Sequence, residues 1–217
     1  MNWHAKLKHD LSRMDQLLRR ASQKRRVELS KLELMVLVLE DRRFVGHVGV
    51  DKWSVAREVV KLVTGRKYGG ASTIDMQFVR TATGYRAHTL KRKLYEVLLA
   101  ILIQFRYDKI EILDSYLACA YFGFGLRGAE MAAQKVFGKA ANKLSLTEAA
   151  FISAMLAHPR PSNAPLVWER RVRARAAYAM EVYMSRKQRL RHQLRSPLTV
   201  RPPAQLEKAG GYRNIES

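Results

Sequence analysis

Apolar residues recur along most of this chain at intervals of three and four, the period of an α-helix buried on one side. Trp3, Leu7, Leu11, Met14, Leu17 and Leu18 share one face of a predicted helix over residues 1–30. Lys6, Arg13, Arg20, Lys24 and Arg25 lie on the other face. The same spacing runs through 53–64, 74–81, 89–106 and 109–122. Ser145-Leu146-Thr147-Glu148 reads as a capping box, in which a hydroxyl and a carboxylate satisfy the first free amides of a helix. That helix continues through 149–157 and stops at His158-Pro159-Arg160-Pro161, where proline cannot donate to the next turn. An arginine-rich helix follows from Trp168 to about Leu194, ended by Ser196-Pro197. Strict alternation never persists long enough to suggest a sheet. The pattern predicts an all-α chain: a basic amphipathic helix over 1–30, a helical domain over 31–195 and a flexible tail over 196–217.

Composition narrows the picture. Forty Lys+Arg against nineteen Asp+Glu leave +21 over 217 residues, and 47% of the chain is hydrophobic. That share is ample for a core, and the single cysteine, Cys119, excludes an internal disulfide framework. A membrane-spanning helix needs about 20 apolar residues. The longest apolar runs, 34–39 and 97–103, are far shorter. Met1-Asn2-Trp3-His4 opens into charged residues rather than an apolar leader. The charge therefore calls for a polyanionic partner: an anionic membrane surface, a phosphorylated substrate or nucleic acid. The helix over 1–30 has two readings of about equal weight, lying on such a membrane or packing on its own domain.

Three segments carry groups suited to chemistry. In Glu40-Asp41-Arg42-Arg43-Phe44-Val45-Gly46-His47-Val48-Gly49, Glu40 ends an apolar run, and partial loss of water suits a carboxylate to accept a proton. The plainer alternative pairs Glu40 with Arg42 or Arg43. In Gly70-Ala71-Ser72-Thr73-Ile74-Asp75-Met76-Gln77, glycine permits close approach of a ligand, and Ser72 or Thr73 caps a helix whose free amides would face an anion, with Arg80 adding charge; the plainer and commoner alternative is an ordinary turn and cap. In Arg92-Lys93-Leu94-Tyr95-Glu96, Glu96 shares a helix face with Arg92, and the cations could hold a diphosphate. The plainer alternative is a surface ion-pair cluster.

Other signals are negative. Gly123-Phe124-Gly125-Leu126-Arg127-Gly128 fits a dinucleotide-binding spacing but follows a predicted helix instead of a strand, and reads as a tight interhelical turn. Metalloprotease, paired-cysteine and Walker motifs do not occur, nor do the S-x-x-K and K-T-G motifs of penicillin-type serine enzymes. His47 stands alone and reads as a hydrogen-bonded structural residue.

Taken together, the segments resemble the peptidoglycan glycosyltransferases of glycosyltransferase family 51. The likeness rests on E-D-x-x-F-x-x-H-x-G from Glu40 to Gly49, G-x-S-T-I-x-x-Q from Gly70 to Gln77 and R-K-x-x-E from Arg92 to Glu96. It continues through 109–117, Phe122–Gly125, Phe137-Gly138-Lys139 and Glu148-Ala149-Ala150, in order over about 32–184. Asp75, Met76, Gln104 and Ala118 depart from the family's usual residues.

The resemblance implies a lysozyme-like all-α head with a small membrane-facing jaw at about 52–68. It implies polymerisation of lipid II onto a growing glycan strand, with release of undecaprenyl diphosphate at the outer, periplasmic face of the inner membrane. Glu40 would be the general base. Glu96 would stabilise the reacting centre or a diphosphate-bound Mg or Mn ion. Arg80, Arg92 and Lys93 would neutralise the diphosphate, and Asp41, Ser72 and Gln77 would line the substrate cleft. An anionic membrane surface and cell-wall assembly proteins are the implied partners, and nucleic acid is not expected. Three other readings are a non-catalytic scaffold derived from that family, a basic nucleic-acid binder and a glycan hydrolase.

Overall fold

The computed structural model describes residues 2–21, 28–53, 56, 60, 64, 72–85 and 89–195, without the side chains of Ala21, Leu90 and 187–195. The expected jaw at 52–68 lies almost wholly outside the described residues, and the tail at 196–217 lies entirely outside them. Among the described residues the helices are α1 (Trp3–Ala21), α2 (Lys31–Glu40), α3 (Ile74–Thr83), α4 (Leu90–Gln104), α5 (Lys109–Cys119), α6 (Ala129–Phe137), α7 (Leu146–Ala154) and α8 (Leu166–Arg195). A two-stranded antiparallel hairpin, β1 (Tyr121–Gly123) and β2 (Leu126–Arg127), separates α5 from α6. Among the described residues the fold is all-α with this one small ribbon, and no described helix is long and apolar enough to cross a membrane.

The central helices are those with no wet face. Leu32, Met35, Val36, Leu37 and Val38 of α2 are all buried, as expected of a helix that is hydrophobic all round. Ser30 and Glu33 close its capping box, with Ser30 N donating to Glu33 Oε2 at 2.6 Å. The predicted box at Ser145 and Glu148 opens α7. Helix α7 packs on both α2 and α8, while α3 packs on α4 and α5.

Helix α1 adopts the packed reading. Met14 and Leu18 are fully buried, and Leu7, Leu11 and Leu17 pack on the same core. The helix crosses α3, α4 and α5. A polar anchor reinforces it: buried Asp10 accepts the hydroxyls of Tyr85 (2.8 Å) and Tyr95 (2.9 Å). Burial, and then the Asp10 carboxylate, push the Tyr85 hydroxyl up to about 12.

The glycine-rich stretch 123–128 is a strand hairpin, not a simple interhelical turn. Arg160 docks beside β1 as a third extended segment, with Arg160 N donating to Phe122 O (2.9 Å) and Phe124 N to Arg160 O (2.7 Å). Gly123 makes this possible. Its φ is +143°, and a Cβ there would lie 2.4 Å from both the N and the O of Arg160. We predict that Gly123→Ala costs about 3 kcal/mol. Thermal unfolding should then show a melting temperature lower by about 6–12 °C.

Candidate active site

The first motif is locked in place before it can act. Asp41 ends α2 and turns inward: its Oδ2 accepts Ile74 N (3.1 Å), the first amide of α3, and His47 Nε2 (3.0 Å). Thr73 supplies the other cap, accepting Met76 N and donating to Gly49 O at 2.6 Å. The free amides expected to greet an external anion are thus met by Asp41 and Thr73. Asp41, expected in the substrate cleft, is buried and joins α2 to α3 instead. Gly49 is required by space: its φ is +66°, and a Cβ would meet Ile101 N of α4 at 2.8 Å. Gln104 fastens the same loop, accepting Gly49 N and donating to His47 O (3.3 Å).

Asp75 does not add negative charge to an anion site. It is fully buried and paired with Lys109 at 2.9 Å. Burial pushes its carboxyl up, and the Lys109 charge opposes that shift. Asp41, His47 and Asp75 bring three potential ligand atoms within 4.8 Å of one another. The Lys109 ammonium lies 3.5 Å from His47 Nδ1 as well, so the cluster fits an internal ion-pair network better than a metal cation. Met76 is a core residue, and Ala118 is exposed.

Glu40 is the last residue of α2, with its side chain 15% exposed. Its partners are neither Arg42 nor Arg43. Arg42 bonds Val38 O and the Tyr178 hydroxyl, and Arg43 faces Asp51. Glu40 Oε1 accepts Arg175 from α8 (2.9 Å), and Oε2 accepts Gln77 Nε2 from α3 (3.2 Å). The Gln77 amide is itself oriented by Tyr116, whose hydroxyl donates to Gln77 Oε1 at 2.6 Å. Burial, and then the nearby Glu40 charge, push that hydroxyl well up, so it stays a donor. A carboxylate has about four acceptor positions. The bonds from Arg175 and Gln77 leave Glu40 room to take a proton.

Glu96 is fully buried on α4, which rules out a surface ion-pair cluster. Arg92 reaches its Oε1 at 2.7 Å and Arg80 at 3.2 Å. Ser72 Oγ accepts from both Arg80 and Lys93, each at 3.2 Å. Arg80 and Arg92 bracket this one carboxylate, and Lys93 joins the cluster through Ser72. Gln77 and Arg80 are one turn apart on α3 and so share a face. Glu40 and Glu96, 56 positions apart in the chain, are bonded on that one face by residues one turn apart on α3. The predicted site residues Glu40, Gln77, Ser72, Arg80, Arg92, Lys93 and Glu96 therefore come together, and Asp41 stands behind them.

A profile of the family described as Transglycosylase matches residues 12–184. The chain belongs to the transglycosylase family. It is 42% identical over 125 residues to penicillin-binding protein 1A of Aquifex aeolicus, covering 57% of this chain and 17% of that one. Over 129 residues it is 35% identical to the biosynthetic peptidoglycan transglycosylase of Shewanella oneidensis, covering 59% and 55%. A Cupriavidus necator protein bearing a transglycosylase name is 38% identical over 146 residues, covering 67% and 63%. The chain spans less than two thirds of the length of each of these relatives.

Two members of this candidate site were not singled out by spacing. Arg175 is one of many cations in an arginine-rich helix, and no local signal separates the one that turns inward. Tyr116 lies in a segment that resembles the family, yet only burial of its hydroxyl beside Gln77 reveals its role. Lys109, which neutralises Asp75, is likewise silent in the sequence, since the two are 34 residues apart.

Proposed function

We propose that this transglycosylase domain polymerises lipid II into glycan strands and releases undecaprenyl diphosphate. The observation that carries the reading is the convergence of Glu40 and the Glu96–Arg80–Arg92–Lys93 cluster on one face of α3. The acceptor's 4-hydroxyl attacks the anomeric carbon of the donor strand. Its proton passes to Glu40, and the bond to the diphosphate breaks on the far side. Both negative charge and bond polarity then run toward the basic cluster, whose cations stabilise the leaving oxygen. Ser72, already bonded to Arg80 and Lys93, holds the two cations at one place.

Glu96 serves differently. Two guanidiniums occupy it, and it positions Arg80 and Arg92 for the diphosphate. That clamp favours transfer over hydrolysis, which needs a second carboxyl able to give or take a proton. The names of the Aquifex and Shewanella relatives support the cell-wall setting. Docking on an anionic membrane surface is part of the proposal and agrees with the +21 charge.

The test is direct. The purified chain, given lipid II in detergent with added phospholipid and with Mg or Mn varied, should yield glycan polymer on a gel. A folded protein that makes none under any of these conditions refutes the proposal.

A further inference from the structure

On the opposite side of α8 from Glu40 lies a second concavity. Arg173 lines it while Arg175 reaches Glu40. Two residues along a helix project about 200° apart. The cavity has a volume of about 500 Å³ and opens between α6, α7 and the start of α8, within the usual range for small-ligand pockets.

Its wall is aromatic and fixed. Phe151 meets Phe137 edge to face at 5.7 Å and Trp168 at 6.2 Å. Trp168 Nε1 donates to His158 O at 2.8 Å, which holds the indole. The acids on the rim are already neutralised. Glu169 is bonded to Arg173 at 2.6 Å. Glu148 is bonded to Lys139 at 2.6 Å, and that hydrogen bond, with the Ser145 amide, lowers its carboxyl to about 2. Two cations lining the cavity, Lys135 and Arg160, have no side-chain partner among the described residues.

The backbone N–H and carbonyl of Arg160 are both bonded to the hairpin, and the conformation of Gly123 leaves space for it. The glycine-rich stretch, which fits no nucleotide site, thus presents Arg160 to the cavity. On the same rim, Ala164 holds a φ of +40°, the only positive value at a described non-glycine residue. Backbone in that region is strained for a side chain and persists only where the surroundings impose it.

We propose that this cavity binds a carboxylate, recognised by Lys135 and Arg160, on a group that packs against the Phe137–Phe151–Trp168 wall. Resting on the glycosyltransferase reading, we assign the ligand as the acidic peptide that the glycan carries, gripped away from the reacting centre. A grip of that kind would keep a product strand on the enzyme between additions.

The test uses the full chain with Trp3→Phe and Trp53→Phe, which leaves Trp168 as its only tryptophan. The probe is N-acetylmuramoyl-L-alanyl-D-isoglutamine, titrated while Trp168 emission is followed, with acetate and N-acetylglucosamine as comparison arms. The expected result is a saturable change with the acidic glycopeptide, weaker by about tenfold in Arg160→Ala and in the exposed-site variant Lys135→Glu. Absence of saturable binding overturns the proposal. So does equal binding of acetate or the neutral sugar, or unchanged affinity in both variants at an unchanged melting temperature. Glu40→Gln should bind the probe as the unsubstituted protein does. Probe binding with no polymerisation would support the cavity and refute the glycosyltransferase reading; polymerisation without probe binding would do the reverse.

Discussion

Glu40→Gln is expected to lower glycan polymerisation by about 1000-fold, the central effect of removing a positioned general base. The substitution is nearly isosteric, so the loss should be chemical. An amide oxygen can still accept from Arg175, as Glu40 Oε1 does now at 2.9 Å. An amide cannot take the proton of the attacking hydroxyl. The side chain is 15% exposed and its charge is lost from the pair with Arg175, which is 30% exposed and can turn to water, so stability should fall by about 1 kcal/mol. Melting temperature should hence fall by about 2–4 °C. Lipid II polymer on a gel, read beside a thermal melt, measures both. Retained polymerisation would remove Glu40 from the reaction.

Glu96→Gln is expected to damage stability as well as activity. Here the carboxylate is wholly buried, and it is the shared counterion of Arg92 and Arg80. Removing one partner of a buried ion pair costs about 3–5 kcal/mol, because the remaining charge is left in low dielectric. The two arginines do not suffer equally. Arg92 is 12% exposed and cannot escape, whereas Arg80 is 39% exposed and can turn to water. That relief places the cost near the lower end, about 3 kcal/mol, or about 6–12 °C in melting temperature. A control separates charge from packing. Glu96→Leu combined with Arg92→Met removes both members of the closest pair and should recover part of the loss. If Glu96→Gln melts with the unsubstituted protein, the arginines do not clamp this carboxylate in solution and Glu96 is free to act as an acid.

These two carboxylates differ in how legible they were. Glu40 ends an apolar run, and that alone marks it as an acid partly withdrawn from water. Glu96 follows Arg92 by four residues, which marks an ion pair but not its burial. Burial came from α4 packing on α3 and from Arg80, sixteen residues earlier, closing over it.

What the sequence determined by itself is local. Helix periods, the box at Ser145 and Glu148, the stop at Pro159 and Pro161 and the order of the motifs all act within about four residues, where spacing alone decides which groups can meet. An apolar stripe states that a face will be buried and not what will cover it, so α1 was equally open to membrane and core until Asp10 met Tyr85 and Tyr95. Tertiary structure alone decided that Asp41 turns inward to cap α3, that Asp75 pairs with Lys109, that glycines 123–128 form a hairpin holding Arg160, and that one arginine of α8, 135 residues from Glu40, becomes its partner. The reason is physical: a charge's partner is set by which helices pack together, and that packing is a sum over the whole core that no local spacing contains.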